Sequence, residues 1–148
     1  RWKASLHFTN LNGTEARQMK AWLLSLRGMA NRFELHDFSQ PEPATNPGNI
    51  SNVSGGTARE LIIGTELNPL TVGDYIQVGT ELKMIVGIPQ AGTYAIEPAM
   101  RNQSFLGLPV VASQAKGVFM LSSNDQSFWS AAGKASLSDI SIECVEGF

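Results

Sequence analysis

The chain has 148 residues, of which 43% are hydrophobic and 16% are charged, and its formal net charge is −2. Domains commonly span roughly 100–200 residues, so we expect a single domain over 1–148 and exclude two independent catalytic domains. The apolar content and low net charge exclude an intrinsically disordered chain. No stretch approaches the roughly 18 uninterrupted apolar residues that indicate a membrane span, so we expect no membrane insertion. The single cysteine, Cys144, excludes an internal disulfide.

The charges are divided unevenly along the sequence. Residues 1–32 carry six basic and one acidic side chain, a local charge of +5, whereas residues 33–148 carry five basic and twelve acidic side chains, a local charge of −7. This asymmetry is typical of a nucleic-acid or membrane arm, of a basic surface that docks on the acidic surface of the next copy, or of an ordinary solvated surface. The sequence pI of about 5.6 argues against nucleic acid.

A strand and an amphipathic helix are predicted at the start of the chain. Residues 2–8 alternate apolar and polar side chains, the period-two pattern of a half-buried strand. Asn12 and Glu15 have the spacing of a capping box, which predicts that a helix begins there. Gly28 is expected as the C′ cap, with Arg27 placed favourably against the helix dipole. The predicted apolar stripe of the helix consists of Ala16, Met19, Trp22, Leu23 and Leu26.

A long loop is predicted from Ser39 to Ala58, where Pro, Asn, Gly, Ser and Thr dominate. Loops of this length inside compact domains usually carry an interaction or are disordered. Pro41 and Pro43 stiffen its first half, and Ile50 and Val53 are isolated apolar residues that we expect to anchor it to a neighbouring molecule. The alternative is an exposed excursion with no partner.

The rest of the chain predicts short strands separated by turns, a spacing that favours an antiparallel sandwich or barrel over a parallel sheet. The predicted strands cover residues 59–64, 75–78, 81–88, 93–97, 110–113, 117–122 and 137–146. The expected fold is therefore mainly β within the α+β class. It is an antiparallel β-sandwich or barrel of about eight to nine strands flanked by one amphipathic helix.

No catalytic or cofactor-binding motif is present in the sequence. Gly133-Lys134 lacks the upstream glycine and the following Ser or Thr of a phosphate-binding loop. His7, His36 and Cys144 are scattered, and no two of them have metal-ligand spacing. We therefore expect no catalytic residue, no cofactor and no metal. Dispersed carboxylates leave a hydrolase as a further hypothesis, for which the sequence nominates no residue.

Several segments resemble tail-tip proteins of long-tailed bacteriophages. In those proteins a helix ending in Arg-Gly precedes a strand that carries phenylalanine, and later segments combine a Gly-Asp turn, a strand followed by P-x-x-R, and an F-x-L strand. The matching segments here are 21–28 followed by Phe33, 72–79, 92–98 with Arg101, and 117–121. Together they cover most of the chain, and they consist of turns and core positions.

The resemblance implies a structural virion protein similar to distal tail proteins, with a tail-tube-like β domain flanked by one helix. Such proteins assemble as a ring, commonly a hexamer, and contact other phage tail proteins. The implied location is the virion, after synthesis in the host cytoplasm. In such a ring the basic helix side would meet the acidic strand side of the next copy, and the loop at 39–58 would reach an adjacent ring. No catalytic residue is carried over.

Two functional hypotheses thus nominate residues. The assembly hypothesis places the interface at Arg17, Lys20, Arg27, Pro41, Pro43, Ile50 and Val53. The alternative is a monomeric carbohydrate-binding β domain, in which Phe128 and Trp129 on a turn stack on a sugar. The same two aromatic side chains would plug one end of the barrel if they had only a structural role.

Overall fold

The computed structural model describes residues 1–36, 48–54, 59–63, 68–101, 105–124 and 138–147. Within these ranges the chain forms one helix and ten strands. In chain order they are β1 Lys3–Leu11, α1 Gly13–Ser25, β2 Phe33–Leu35, β3 Gly48–Ser54, β4 Glu60–Ile63, β5 Tyr75–Val78, β6 Glu81–Gln90, β7 Thr93–Glu97, β8 Pro109–Val111, β9 Gly117–Leu121 and β10 Ser138–Glu146. The predicted fold class, a mainly β sandwich or barrel with one helix, is confirmed.

The chain divides into two compact units. Unit 1 consists of Arg1–Phe33 and Val118–Phe148, and unit 2 consists of Glu34–Gly117. Unit 1 thus holds β1, α1, β10 and most of β9, while unit 2 holds β3 to β8. The expectation of one domain over 1–148 stays a prediction.

Unit 1 is built on the strands β1, β10 and β9, which are neighbours in that order in one sheet. β1 and β10 are antiparallel, and the register places Leu6 opposite Ile142. Along β1, exposed Lys3, Ser5 and His7 alternate with half-buried apolar side chains, so the predicted period-two strand is confirmed. The apolar face continues into β10, where the side chains of Ile140, Ile142 and Cys144 are buried.

Helix α1 begins at the predicted capping box. The Asn12 side chain accepts hydrogen bonds from the backbone N–H groups of Thr14 and Glu15, both at 3.0 Å. The Glu15 side chain in turn accepts from the Asn12 N–H at 2.9 Å. The predicted apolar stripe faces inward: Ala16, Leu23 and Leu26 are buried, and Met19 and Trp22 are half-buried. Trp22 packs edge-on against Phe33 with ring centroids 5.2 Å apart.

The predicted C-terminal cap of α1 is wrong by one residue. Leu26 is the C-cap, and Arg27 rather than Gly28 occupies the C′ position with a left-handed φ of 53°. Gly28 follows with a φ of 65°, and a Cβ there would lie only 2.9 Å from the Cα of Asn124. The Asn124 side chain accepts a hydrogen bond from the Met29 N–H at 2.9 Å. This close approach and the positive φ both require glycine at position 28.

Unit 2 contains a closed antiparallel barrel with the strand order β3-β4-β7-β6-β5-β8. β5 and β6 form a hairpin through the predicted turn Gly79-Thr80, and β6 and β7 form the next through Ala91-Gly92. The Tyr94 hydroxyl inside the core accepts a hydrogen bond from the Leu70 N–H at 3.2 Å. The buried core cluster of unit 2 comprises Leu61, Ile63, Leu70, Ile76, Val78, Ile85, Tyr94, Ile96, Met100, Phe105, Val110 and Ala112.

The predicted loop from Ser39 to Ala58 is wrong over residues 48–54, which form β3. The β3 backbone pairs with β4 on one side, with Val53 opposite Leu61, and with β8 on the other, with Gly48 opposite Val110. Gly, Asn and Ser have low β propensity, but pairing on both edges satisfies the backbone of β3 and overrides that preference. The other residues of the predicted loop lie outside the described ranges.

Gly28→Ala is expected to lower the free energy of unfolding by about 1–3 kcal/mol, because the new Cβ meets Asn124 and the backbone has a positive φ. Urea unfolding monitored by circular dichroism measures the change. Gly13→Ala is the matched control, since nothing lies within 4 Å of a Cβ at that position. Equal stabilities of the two variants would contradict the close approach of Asn124.

Candidate functional site

One face of α1 brings together two of the predicted interface residues, exposed Arg17 and half-buried Lys20. Arg17 and Lys20 lie three positions apart, and Leu24 follows four positions later, so all three share one face of the helix. Arg17 is exposed, and its Nε donates a hydrogen bond to the Gly13 carbonyl at 3.1 Å. The Leu24 side chain is 52% exposed. We call Arg17, Lys20 and Leu24 the α1 outer face.

Leu24 is not among the predicted interface residues, although the sequence places it outside the apolar stripe of α1. Leu24 falls outside the apolar stripe of α1, and an apolar side chain on the polar side of an amphipathic helix is a candidate contact residue. Arginine is enriched at protein interfaces, whereas lysine is depleted. The α1 outer face therefore combines an apolar contact residue with a side chain that interfaces favour.

The other predicted interface residues lie elsewhere in the chain. Arg27 is exposed at the C′ position of α1 in unit 1. Ile50 and Val53 belong to β3 of the barrel in unit 2. The remaining candidates, Pro41 and Pro43 of the assembly hypothesis and Phe128 and Trp129 of the carbohydrate hypothesis, lie outside the described residues.

An exposed apolar patch lies on the outside of the barrel. Val86 and Ile88 are 47% and 41% exposed, and they lie on either side of Gly87 in β6, where the register between β6 and β7 shifts. The Gly73 N–H donates a hydrogen bond to the Ile85 carbonyl at 2.8 Å, which brings Val72 beside this strand. Val72 is itself 61% exposed. We call Val72, Val86 and Ile88 the β6 patch.

Carboxylates surround the β6 patch. Glu97 of β7 pairs with Met84 of β6, and Glu60 of β4 pairs with Ala95 of β7, which in turn pairs with Gly87 between Val86 and Ile88. Asp74 follows Val72 by two residues and accepts a hydrogen bond from the Thr71 N–H at 2.8 Å. Arg59 forms an ion pair with Glu97. These four ionisable groups, Glu60, Asp74, Glu97 and Arg59, give the surroundings of the patch a formal charge of −2.

A buried ion pair lies in the barrel at the start of β6. Lys83 is fully buried, and its Nζ lies 2.7 Å from Oε2 of Glu81. The same Nζ donates a hydrogen bond to the Ala99 carbonyl at 3.1 Å. Glu81 accepts from the Arg101 N–H at 3.1 Å, and Arg101 Nε lies 3.7 Å from Glu81 Oε2. The pair therefore ties residues 99–101 to β6 and acts as a structural contact.

The sequence analysis also missed this ion pair. Glu81, Lys83 and Ile85 alternate along β6, and a period of two places them on the same side of the strand as a core residue. Charged residues are rarely buried unless they are paired. Burial of Lys83 could therefore be inferred only if Glu81 was recognised as its ion-pair partner. The Glu-x-Lys spacing within one strand indicates such a pair, because it places both side chains on one side of the strand.

Cys144 is a core residue of unit 1. It is 1% exposed on the apolar side of β10. Burial, with a smaller contribution from the negative charge of Glu143, raises the pKa of the thiol from 9.0 to about 11. The thiolate is the nucleophilic form of cysteine, so this side chain is a poor nucleophile at neutral pH.

Comparison with known proteins assigns no function to these residues. No protein-family model and no curated protein sequence matches the chain.

In the part of the chain that the structure describes, no three His, Cys, Asp or Glu side chains converge on a possible metal site. Over the same residues, no helix has both the length and the apolar character needed to cross a membrane.

Glu81→Gln is expected to lower the free energy of unfolding by about 3–5 kcal/mol, because it leaves the buried Lys83 ammonium without its counter-charge. The double variant Glu81→Leu/Lys83→Met should recover much of that loss. Arg59→Met, at an exposed ion pair, is the matched control and should cost no more than about 1 kcal/mol. Chemical denaturation measures all three, and a Glu81→Gln effect no larger than the control would contradict the buried pair.

Cys144 should make unfolding depend on pH in alkaline solution. The raised pKa means that the unfolded thiol ionises first, so the stability contributed by Cys144 is complete below pH 9.0 and is lost as the pH rises toward about 11. The free energy of unfolding should fall in that window by up to about 1.4 kcal/mol per pH unit. Denaturation at several pH values, with Cys144→Ala as the reference, isolates this slope. Equal slopes for the two proteins would show that folding does not raise the pKa of the Cys144 thiol.

Proposed function

We propose that this chain is a structural virion protein of a bacteriophage tail tip or baseplate. It acts by assembling with copies of itself into a ring and by contacting other tail proteins. The observation that carries this proposal is the α1 outer face, where exposed Leu24 stands beside Arg17 and Lys20. A single exposed apolar residue is common, but the two cations beside it give this face a charge that the acidic unit 2 of a second copy complements.

The charge distribution supports assembly between copies. The charges of the sequence give unit 1 a formal net charge of +2 and unit 2 a formal net charge of −4. Opposite charges on two surfaces favour contact between unlike surfaces of neighbouring copies and disfavour contact between like surfaces. Contacts between unlike surfaces are head-to-tail, and they generate a ring when the rotation closes.

The resemblance to tail-tip proteins rests on residues with structural roles, which also supports the proposal. Residues 72–79 contain Asp74, whose carbonyl accepts a hydrogen bond from the Ile85 N–H at 2.9 Å. Residues 92–98 contain β7, which pairs with both β4 and β6. A ring of six copies, located in the virion after synthesis in the host cytoplasm, is proposed on this resemblance alone.

The native mass of the chain tests the proposal. Light scattering over a concentration series should show a shift from 16.0 kDa to a fixed multiple, and high salt should weaken the association because the proposed contact is partly electrostatic. Arg17→Glu/Lys20→Glu should raise the dissociation constant by about 10-fold or more at low salt. Gln18→Glu, an exposed position beside the same face, is the control. A wild-type mass of 16.0 kDa at every concentration would contradict self-assembly.

A further inference from the structure

We infer that the β6 patch receives the α1 outer face of a second copy, so that copies join head to tail through these two surfaces. This inference rests on the proposed function, and it names the surface of the partner copy. The contact would bury Leu24 of one copy against Val72, Val86 and Ile88 of the next. Each of these four side chains is more than 40% exposed.

Both surfaces expose apolar side chains that a contact between two copies would bury. Single exposed apolar residues are common, but a contiguous exposed patch marks an interaction site. Val86 and Ile88 are exposed near each other on β6, and the Gly73 to Ile85 hydrogen bond brings Val72 beside the same strand. The α1 outer face offers one large apolar side chain, Leu24, one turn away from the cationic Lys20.

The charges decide between the possible pairings. Arg17 and Lys20 are the ionisable groups of the α1 outer face, whereas three carboxylates and one guanidinium surround the β6 patch. A symmetric contact between two α1 outer faces would oppose cations, and a symmetric contact between two β6 patches would oppose carboxylates. Like charges across an interface suppress association, so contact between the two unlike surfaces is favoured.

Head-to-tail contact leaves each copy with one surface of each kind. After two copies have joined, one α1 outer face and one β6 patch remain available at the ends of the pair. Further copies therefore add in the same way until the chain of copies closes on itself. Blocking one surface on a copy should stop growth at that copy without removing its other surface.

This property permits a mixing experiment. Leu24→Asp blocks the α1 outer face, and Val86→Asp blocks the β6 patch. In sedimentation velocity, each variant alone should remain monomeric at concentrations where the wild-type chain assembles, with the dissociation constant raised by about 30-fold or more. An equimolar mixture should form a 1:1 pair and nothing larger, because each variant keeps the surface that the other has lost.

Leu106→Asp is the matched control, since Leu106 is 58% exposed and lies outside both surfaces; it should assemble like the wild-type chain. Circular dichroism and thermal unfolding establish that each variant is folded, and Leu24→Ser and Val86→Ser replace any variant that is not. If the Val86→Asp variant assembles as strongly as the wild-type chain, the β6 patch is not the contact surface, and the proposed function stays intact. Loss of assembly in both variants with no pair in the mixture would overturn the head-to-tail arrangement. A wild-type chain that never assembles would overturn both proposals.

Discussion

Closure of the barrel in unit 2 is the constraint on which the candidate surfaces depend. β3 supplies that closure, since its backbone pairs with β4 on one edge and with β8 on the other. Without β3, both neighbouring strands would have an unpaired edge, and unpaired strand edges invite association with other chains. Closure also fixes the position of β6 between β5 and β7, and therefore the side on which each of its residues projects.

The two sides of β6 have different roles in this account. On the inside, Lys83 and Glu81 hold residues 99–101 through hydrogen bonds and an ion pair. A buried pair of this kind contributes little net stability compared with apolar residues, but losing one partner is costly. On the outside, Val86 and Ile88 remain exposed among carboxylates.

The features that could be predicted from the sequence are local. The capping box at Asn12 and Glu15 and the turn at Gly79-Thr80 each depend on residues within four positions, and both are found. The cap at Arg27 could not be predicted, because the left-handed conformation favours glycine and the sequence offers Gly28 one residue later. β3 was missed because its pairing with β4 and β8, rather than its own residue types, makes it a strand. Half of the candidate contact could be predicted: the charges of α1 and the position of Leu24 outside its apolar stripe are visible in the sequence, whereas the β6 patch requires the packed structure.

Hydrogen–deuterium exchange on the wild-type chain tests the central claim most directly, because it reports which surfaces become covered on assembly. The comparison is between a concentration at which the chain assembles and a tenfold or greater dilution at which it is monomeric. The account predicts slower exchange in the assembled state for peptides covering α1 and for peptides covering residues 84–90 of β6. Slower exchange confined to other segments, or no difference between the two concentrations, would contradict it.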